Sequence, residues 1–119
     1  MKYLLLIYES EQAGADLSEA EQGKIFQEYM DYTNGIMKKG NYIAGEALQP
    51  VSTATTVRVK NGKTLTTDGP FAETREQLGG FYMVEAKDLD EAIKLAAGIP
   101  AVRTGSIEVR PIMPTPPVD

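Results

Sequence analysis

The sequence predicts an α+β fold, a four-stranded antiparallel sheet with two helices on one face, built in the order β-α-β-β-α-β with an inserted β-hairpin. Three observations predict it. Short apolar runs of strand length alternate with two stretches of helical periodicity. Each helical stretch follows a capping signal and ends near a glycine. An Asn-Gly pair between two alternating segments marks a tight hairpin.

The elements follow in order. Lys2 to Tyr8 is a continuous apolar run rich in Leu, Ile and Tyr, too short for a globular helix, and reads as a central strand buried on both faces. Ser18-Glu19-Ala20-Glu21 has the form of a capping box, and Phe26, Tyr29, Met30, Thr33, Ile36 and Met37 then recur as one helical stripe up to Gly40. Tyr42 to Leu48 is a second strand, with Ile43, Gly45 and Ala47 on one side and Tyr42, Ala44, Glu46 and Leu48 on the other. Val57 to Lys60 and Lys63 to Thr67 flank Asn61-Gly62 as the inserted hairpin. Asp68-Gly69-Pro70-Phe71 breaks the pattern, and Ala72 to Leu78 is a polar loop or short helical turn ending at Gly79-Gly80. Phe81 to Glu85 is the third main strand. Asp88 opens a second helix with a predicted buried stripe of Leu89, Ala92, Ile93 and Ala96, stopped by Gly98 and Pro100. Gly105 to Ile112 is the last strand. Residues 1–113 form one domain on this reading, and 114–119 a Pro-rich, extended tail.

This order is the ferredoxin-like arrangement, in which both helices cover one sheet face. The other face stays uncovered. Leu4 and Leu6 oppose Tyr3, Leu5 and Ile7, and Phe81 and Met83 oppose Tyr82 and Val84, so both faces of the central strands are apolar. A homodimer through the uncovered face is the expected means of hiding it.

Composition narrows the chemistry. The 119 residues include no cysteine and no histidine, which removes thiolate nucleophiles, Cys-ligated zinc, the commonest metal ligand and the commonest general base. No metal site and no cofactor motif is read; Gly79-Gly80 lacks the spacing of a nucleotide loop. A net charge of -5 opposes nucleic-acid binding, which relies on clustered Lys and Arg. No stretch reaches the length of a membrane span. The apolar start lacks a basic flank and a cleavage site, so a cytoplasmic protein is expected.

Asp68-Gly69-Pro70-Phe71-Ala72-Glu73-Thr74-Arg75-Glu76-Gln77-Leu78-Gly79-Gly80-Phe81-Tyr82 strongly resembles the DGPF group of the YCII-related domain family. The likeness extends to Leu4–Tyr8, Gly45–Leu48, Thr55–Val59 and Gly105–Pro111, essentially the whole domain. It implies a dimeric α+β barrel and a cleft lined by the DGPF turn and the uncovered sheet face. In related proteins that cleft carries a His and Asp pair proposed as catalytic. Many relatives place His just before the glycine of the last strand, where this chain has Thr104.

The candidate residues follow from position and residue type. Asp68 is the candidate catalytic carboxylate, a general base if burial raises its pKa; its structural alternative is an Asx-type turn. Glu46 and Arg110 fall opposite the helix-facing residues of their strands, where a charge needs a ligand or an ion-pair partner. Glu108 and Arg103 are the alternative ion-pair partners, across a dimer. Tyr8 and Tyr82 are candidate hydrogen-bond donors to a ligand, with core packing as their alternative. Phe71 is a candidate contact or an apolar plug. Two functions are open on this reading. One is a binder or carboxylate acid-base enzyme of isomerase or lyase type, acting on a small polar or aromatic ligand at the dimer cleft. The other, implied by the resemblance, is a non-catalytic partner module, for example one associated with an extracytoplasmic-function sigma factor.

Overall fold

The computed structural model describes residues 1–116, so positions 117–119 of the predicted tail lie outside the described residues. Four strands form the main sheet: β1 (Lys2–Glu9), β2 (Tyr42–Ala47), β5 (Gln77–Glu85) and β6 (Ser106–Pro111). Their order is β2-β5-β1-β6, with every pairing antiparallel. Helices α2 (Glu19–Lys38) and α3 (Leu89–Ala97) connect them. The predicted ferredoxin-like order is therefore present, with β1 in the interior of the sheet.

Local chemistry sets the element boundaries. Ser18 and Glu21 form the reciprocal capping box at the start of α2, and the Asp88 carboxylate accepts from the Glu91 amide at the start of α3. Gly40, just beyond α2, has φ +80°, the left-handed conformation that ends helices. Ser10 also caps a short α1 (Glu11–Ala15), which lacks an apolar stripe and is invisible to periodicity.

The core lies between the sheet and the helices. Tyr3, Leu5, Ile7, Tyr82 and Val84 rise from the sheet to meet Ile36 of α2, Ala92, Leu95 and Ala96 of α3, and Ile99 in the turn after α3. Both predicted helix stripes need correction. Leu89 and Ile93 are exposed, and Leu95 takes their place in the core. On α2 only Ile36 is fully buried; Phe26, Met30 and Met37 remain exposed, Phe26 and Met30 because the helix stands off the sheet there and leaves a groove beside them. The uncovered face carries Leu4 opposite Met83 and Leu6 opposite Phe81, a contiguous apolar block at its centre.

Two register irregularities redirect side chains. Tyr42 pairs with Val84 and Ala44 with Met83, so Ile43 is an extra residue in β2. Tyr42 consequently turns to the helix side and packs on the core, not on the side of Glu46 as strict alternation predicts. In β5, Ile7 pairs with Gly80 and Tyr8 with Leu78, leaving Gly79 as the extra residue. The predicted loop at Gly79-Gly80 is thus part of the strand.

Strands β3 (Thr55–Lys60) and β4 (Lys63–Asp68) form a separate two-stranded sheet around Asn61 and Gly62, both at positive φ. Val57 and Val59 on this arm are 59% and 70% exposed. The Cα radius of gyration is 16.7 Å, against roughly 13–14 Å for a compact domain of this length, because the arm stands away from the body. No described helix is long and apolar enough to cross a membrane.

Candidate functional site

A groove of about 580 Å³ runs between α2 and the β2–β5 side of the sheet. Register supplies its floor: Ile7, Gly80, Tyr82 and Gly45 share the helix-facing side of three neighbouring strands. Helix α2 supplies the wall through Phe26, Tyr29, Met30 and Thr33, spaced at three and four residues and so presented on one side.

Two glycines permit this floor by close approach. A Cβ on Gly45 would stand 2.8 Å from Tyr82 Cδ1, so glycine lets the Tyr82 ring lie across β2. A Cβ on Gly80 would stand 2.8 Å from the Glu46 carbonyl oxygen, so glycine keeps β2 and β5 paired where the groove opens.

The polar groups in the groove are few and placed. The Tyr82 and Thr33 hydroxyls are 2.7 Å apart and share one hydrogen bond, which leaves a further O–H and free lone pairs for a ligand. Burial raises the Tyr82 phenol above its ordinary value, partly offset by the Thr33 hydrogen bond. The Tyr29 phenol is pushed up to about 12, mainly by burial and then by the charge of Glu9. Glu9 closes one end; alternation from Tyr3, Leu5 and Ile7 turns its side chain to the helix side, and Thr104 donates its hydroxyl to Glu9 Oε2 at 2.9 Å. Among the described residues no Lys or Arg lines the groove.

A more open depression of about 490 Å³ lies between α2 and the segment after α3, lined by Tyr32, Gly98, Glu28 and Arg103 among others. Its Arg103 is already paired: Arg103 Nη1 is 2.8 Å from Glu28 Oε2, and that hydrogen bond lowers the Glu28 carboxyl below its usual range. The α2 groove is the better candidate because its polar groups retain unused bonding capacity.

The sequence-predicted site residues divide into three groups. Tyr82 and Glu46 both line the groove, but Tyr82 lies on the helix-covered side and not in a cleft on the open face. Glu46, paired with Phe81, points its side chain to the open face. Arg110 shares that open face, opposite Leu4, yet it sits on the far edge strand, three strand spacings across, about 14 Å, and two residues along from the position in register with Glu46. It makes an ion pair with Glu108 of its own strand. Tyr8, half-buried and paired with Ser106, is on the open face too. Asp68 and Phe71 lie at the base of the arm, exposed, Phe71 to 81%. The structure does not bring Asp68, Arg110 and Glu46 together within one chain. The turn at Asp68 is fixed by its neighbours: the Gly69 amide donates to Ala54 O, and Thr56 Oγ1 donates to Gly69 O.

Sequence reasoning missed Glu9, Tyr29 and Thr33 as one constellation. Extending the alternation of β1 by one more residue points Glu9 to the helix side, and the α2 stripe already contained Tyr29 and Thr33. Among the described residues no group of three or more acidic side chains gathers as a metal site.

Comparison with known proteins agrees with these features. A family model described as the YCII-related domain matches residues 1–116. An uncharacterised protein of Rhizobium meliloti (strain 1021) is 35% identical over 114 residues, 94% of this chain and 92% of that protein.

Proposed function

The chain belongs to the YCII-related domain family, and from that premise we propose that it binds a small, largely apolar organic molecule in the α2 groove. The carrying observation is the groove itself: about 580 Å³, within the range of ordinary ligand pockets, apolar over most of its lining with a few convergent polar atoms. A ring or short aliphatic body fits between Phe26, Met30 and the Tyr82 ring, with one polar group reaching the Thr33–Tyr82 hydroxyl pair. If the protein also catalyses, Glu9 is the carboxylate placed to move a proton on a molecule bound there, in chemistry of isomerase or lyase type.

A thermal-shift screen of small hydroxylated aromatics and lactones tests this, run on the native chain and on Ala47→Trp. Position 47 is exposed at the groove mouth, so the indole fills the groove without disturbing the core. Stabilisation of the native chain and none of the variant is the expected result. Absence of any stabilised ligand, or equal stabilisation of both proteins, overturns the proposal.

The working unit on this reading is a homodimer joined through the open sheet face, since Leu4, Leu6, Phe81 and Met83 form one apolar block there. Sedimentation at micromolar concentration is expected to give a dimer and Leu6→Arg a monomer; a monomeric native chain refutes it. One observation favours a partner module as the second reading: the exposed Val57, Val59 and Phe71 on and beside the arm. Retention of all biological activity by a groove-filled Ala47→Trp protein would favour that second reading.

A further inference from the structure

We infer that the α2 groove selects an organic cation, an amine or quaternary ammonium carried on an apolar body, over its neutral and anionic analogues; this rests on the groove being a binding site.

The charge inventory is one-sided. Among the described residues, the Glu9 carboxylate is the one charged side chain that strand alternation turns onto the helix side of the groove, and no Lys or Arg contributes to the lining. Its bonded partner is neutral, the Thr104 hydroxyl at 2.9 Å. Glu9 takes part in no salt bridge among the described residues. A half-buried carboxylate with a neutral partner keeps its full capacity to attract a cation.

The walls act in the same direction. Phe26, Tyr29, Tyr42 and Tyr82 supply four aromatic rings, and the Tyr42 and Tyr82 rings meet edge to face, with centroids 6.4 Å apart at 73°. Aromatic faces carry the negative lobe of the quadrupole, which attracts ammonium groups. At Tyr29 the charge of Glu9 opposes the phenolate more than that of Arg103 favours it, and the same balance opposes a bound carboxylate. Arg103, whose charge also reaches Tyr29, lies outside the lining and is held by Glu28, and Arg110 lies on the other face of the sheet, paired with Glu108.

Calorimetry with a matched set tests this: phenethylamine, 2-phenylethanol and 3-phenylpropionate, titrated into the native chain and into Glu9→Gln at neutral pH and low salt. Glutamine keeps an acceptor for Thr104, and circular dichroism checks the variant's fold. The amine is expected to bind about ten-fold tighter than the alcohol, and the propionate weakest. Glu9→Gln is expected to remove most of the amine's advantage over the alcohol. Raising the salt on the native chain is expected to weaken the amine alone, a readout that does not depend on the variant. An alcohol that binds as tightly as the amine overturns the cation preference and leaves the groove standing. An amine preference that survives both Glu9→Gln and high salt removes Glu9 from the explanation and refutes the inference. If none of the three binds, the groove reading falls with it.

Discussion

Gly80→Ala should destabilise the protein while the adjacent Gly79→Ala does not. At position 80 the new methyl would lie 2.8 Å from the Glu46 carbonyl oxygen and 3.3 Å from the Ala47 Cα. Both are main-chain atoms of the neighbouring strand, so no side chain can rotate away; β2 must retreat by roughly 0.5 Å to restore ordinary contact. Overpacking of this kind costs about 1–3 kcal/mol. For a domain of this size each kcal/mol lowers the midpoint by roughly 3–6 °C, so the expected loss is several degrees. At position 79 the nearest atom is Ile7 O, 4.0 Å away, and φ is not positive. There alanine is expected to be neutral or to raise stability by up to about 0.5–1 kcal/mol, through lower backbone entropy in the unfolded chain. Thermal melts followed by circular dichroism, with urea titrations to check that the m-values agree, measure both. A Gly80→Ala protein that melts with the native chain, or a Gly79→Ala protein that falls equally far, refutes the close-approach argument and with it the described floor of the groove.

Other outcomes follow from the same structure. Tyr82→Phe leaves the part-buried Thr33 hydroxyl without its 2.7 Å partner and is expected to lose about 0.5–1.5 kcal/mol in urea denaturation; Thr33→Val added to it should be less than additive. Because Tyr29 titrates near 12 when folded and near 10 when unfolded, the folded chain holds that proton more tightly. Its contribution is fully present below pH 10 and is lost as pH rises through 12; burial raises Tyr32 and Tyr82 in the same direction, so alkaline unfolding should track the late-titrating tyrosines together in a phenolate absorbance titration, and Tyr29→Phe should shift the transition part of the way to higher pH. Asp88→Ala removes the acceptor for the Glu91 amide and is expected to cost about 1 kcal/mol, visible as a lowered thermal midpoint without loss of ligand binding.

Much of the fold could be read from local chemistry. The Ser18 capping box, the Asp88 cap and Asn61-Gly62 each act over three or four residues, and each forms as read. Errors arose where non-local pairing decides. Alternation places Tyr42 beside Glu46 until the bulge at Ile43 turns it over, and no local signal announces that bulge. Leu89 and Ile93 have the right spacing for a buried stripe but fall just outside the strip of α3 that the sheet covers. The groove is harder still to read, because it assembles Glu9, Thr33, Gly45 and Tyr82 from four elements whose adjacency is set by strand order. Tyr82 was identified from its residue type, yet its side of the sheet follows from pairing with Leu5 and Gly45.

The interior place of β1 fixes an order of events in synthesis. Its Leu5 is flanked by Tyr82 on one side and Val109 on the other, so neither neighbour exists on the ribosome until most of the chain has been made. Helices α2 and α3 and the Asn61-Gly62 ribbon close over short sequence distances and can form early, whereas the greasy first strand has to wait. Such distant pairings slow folding, and waiting hydrophobic segments are where newly made chains stick together. The same strand that anchors the finished sheet is therefore the segment most in need of shielding while the protein is being born.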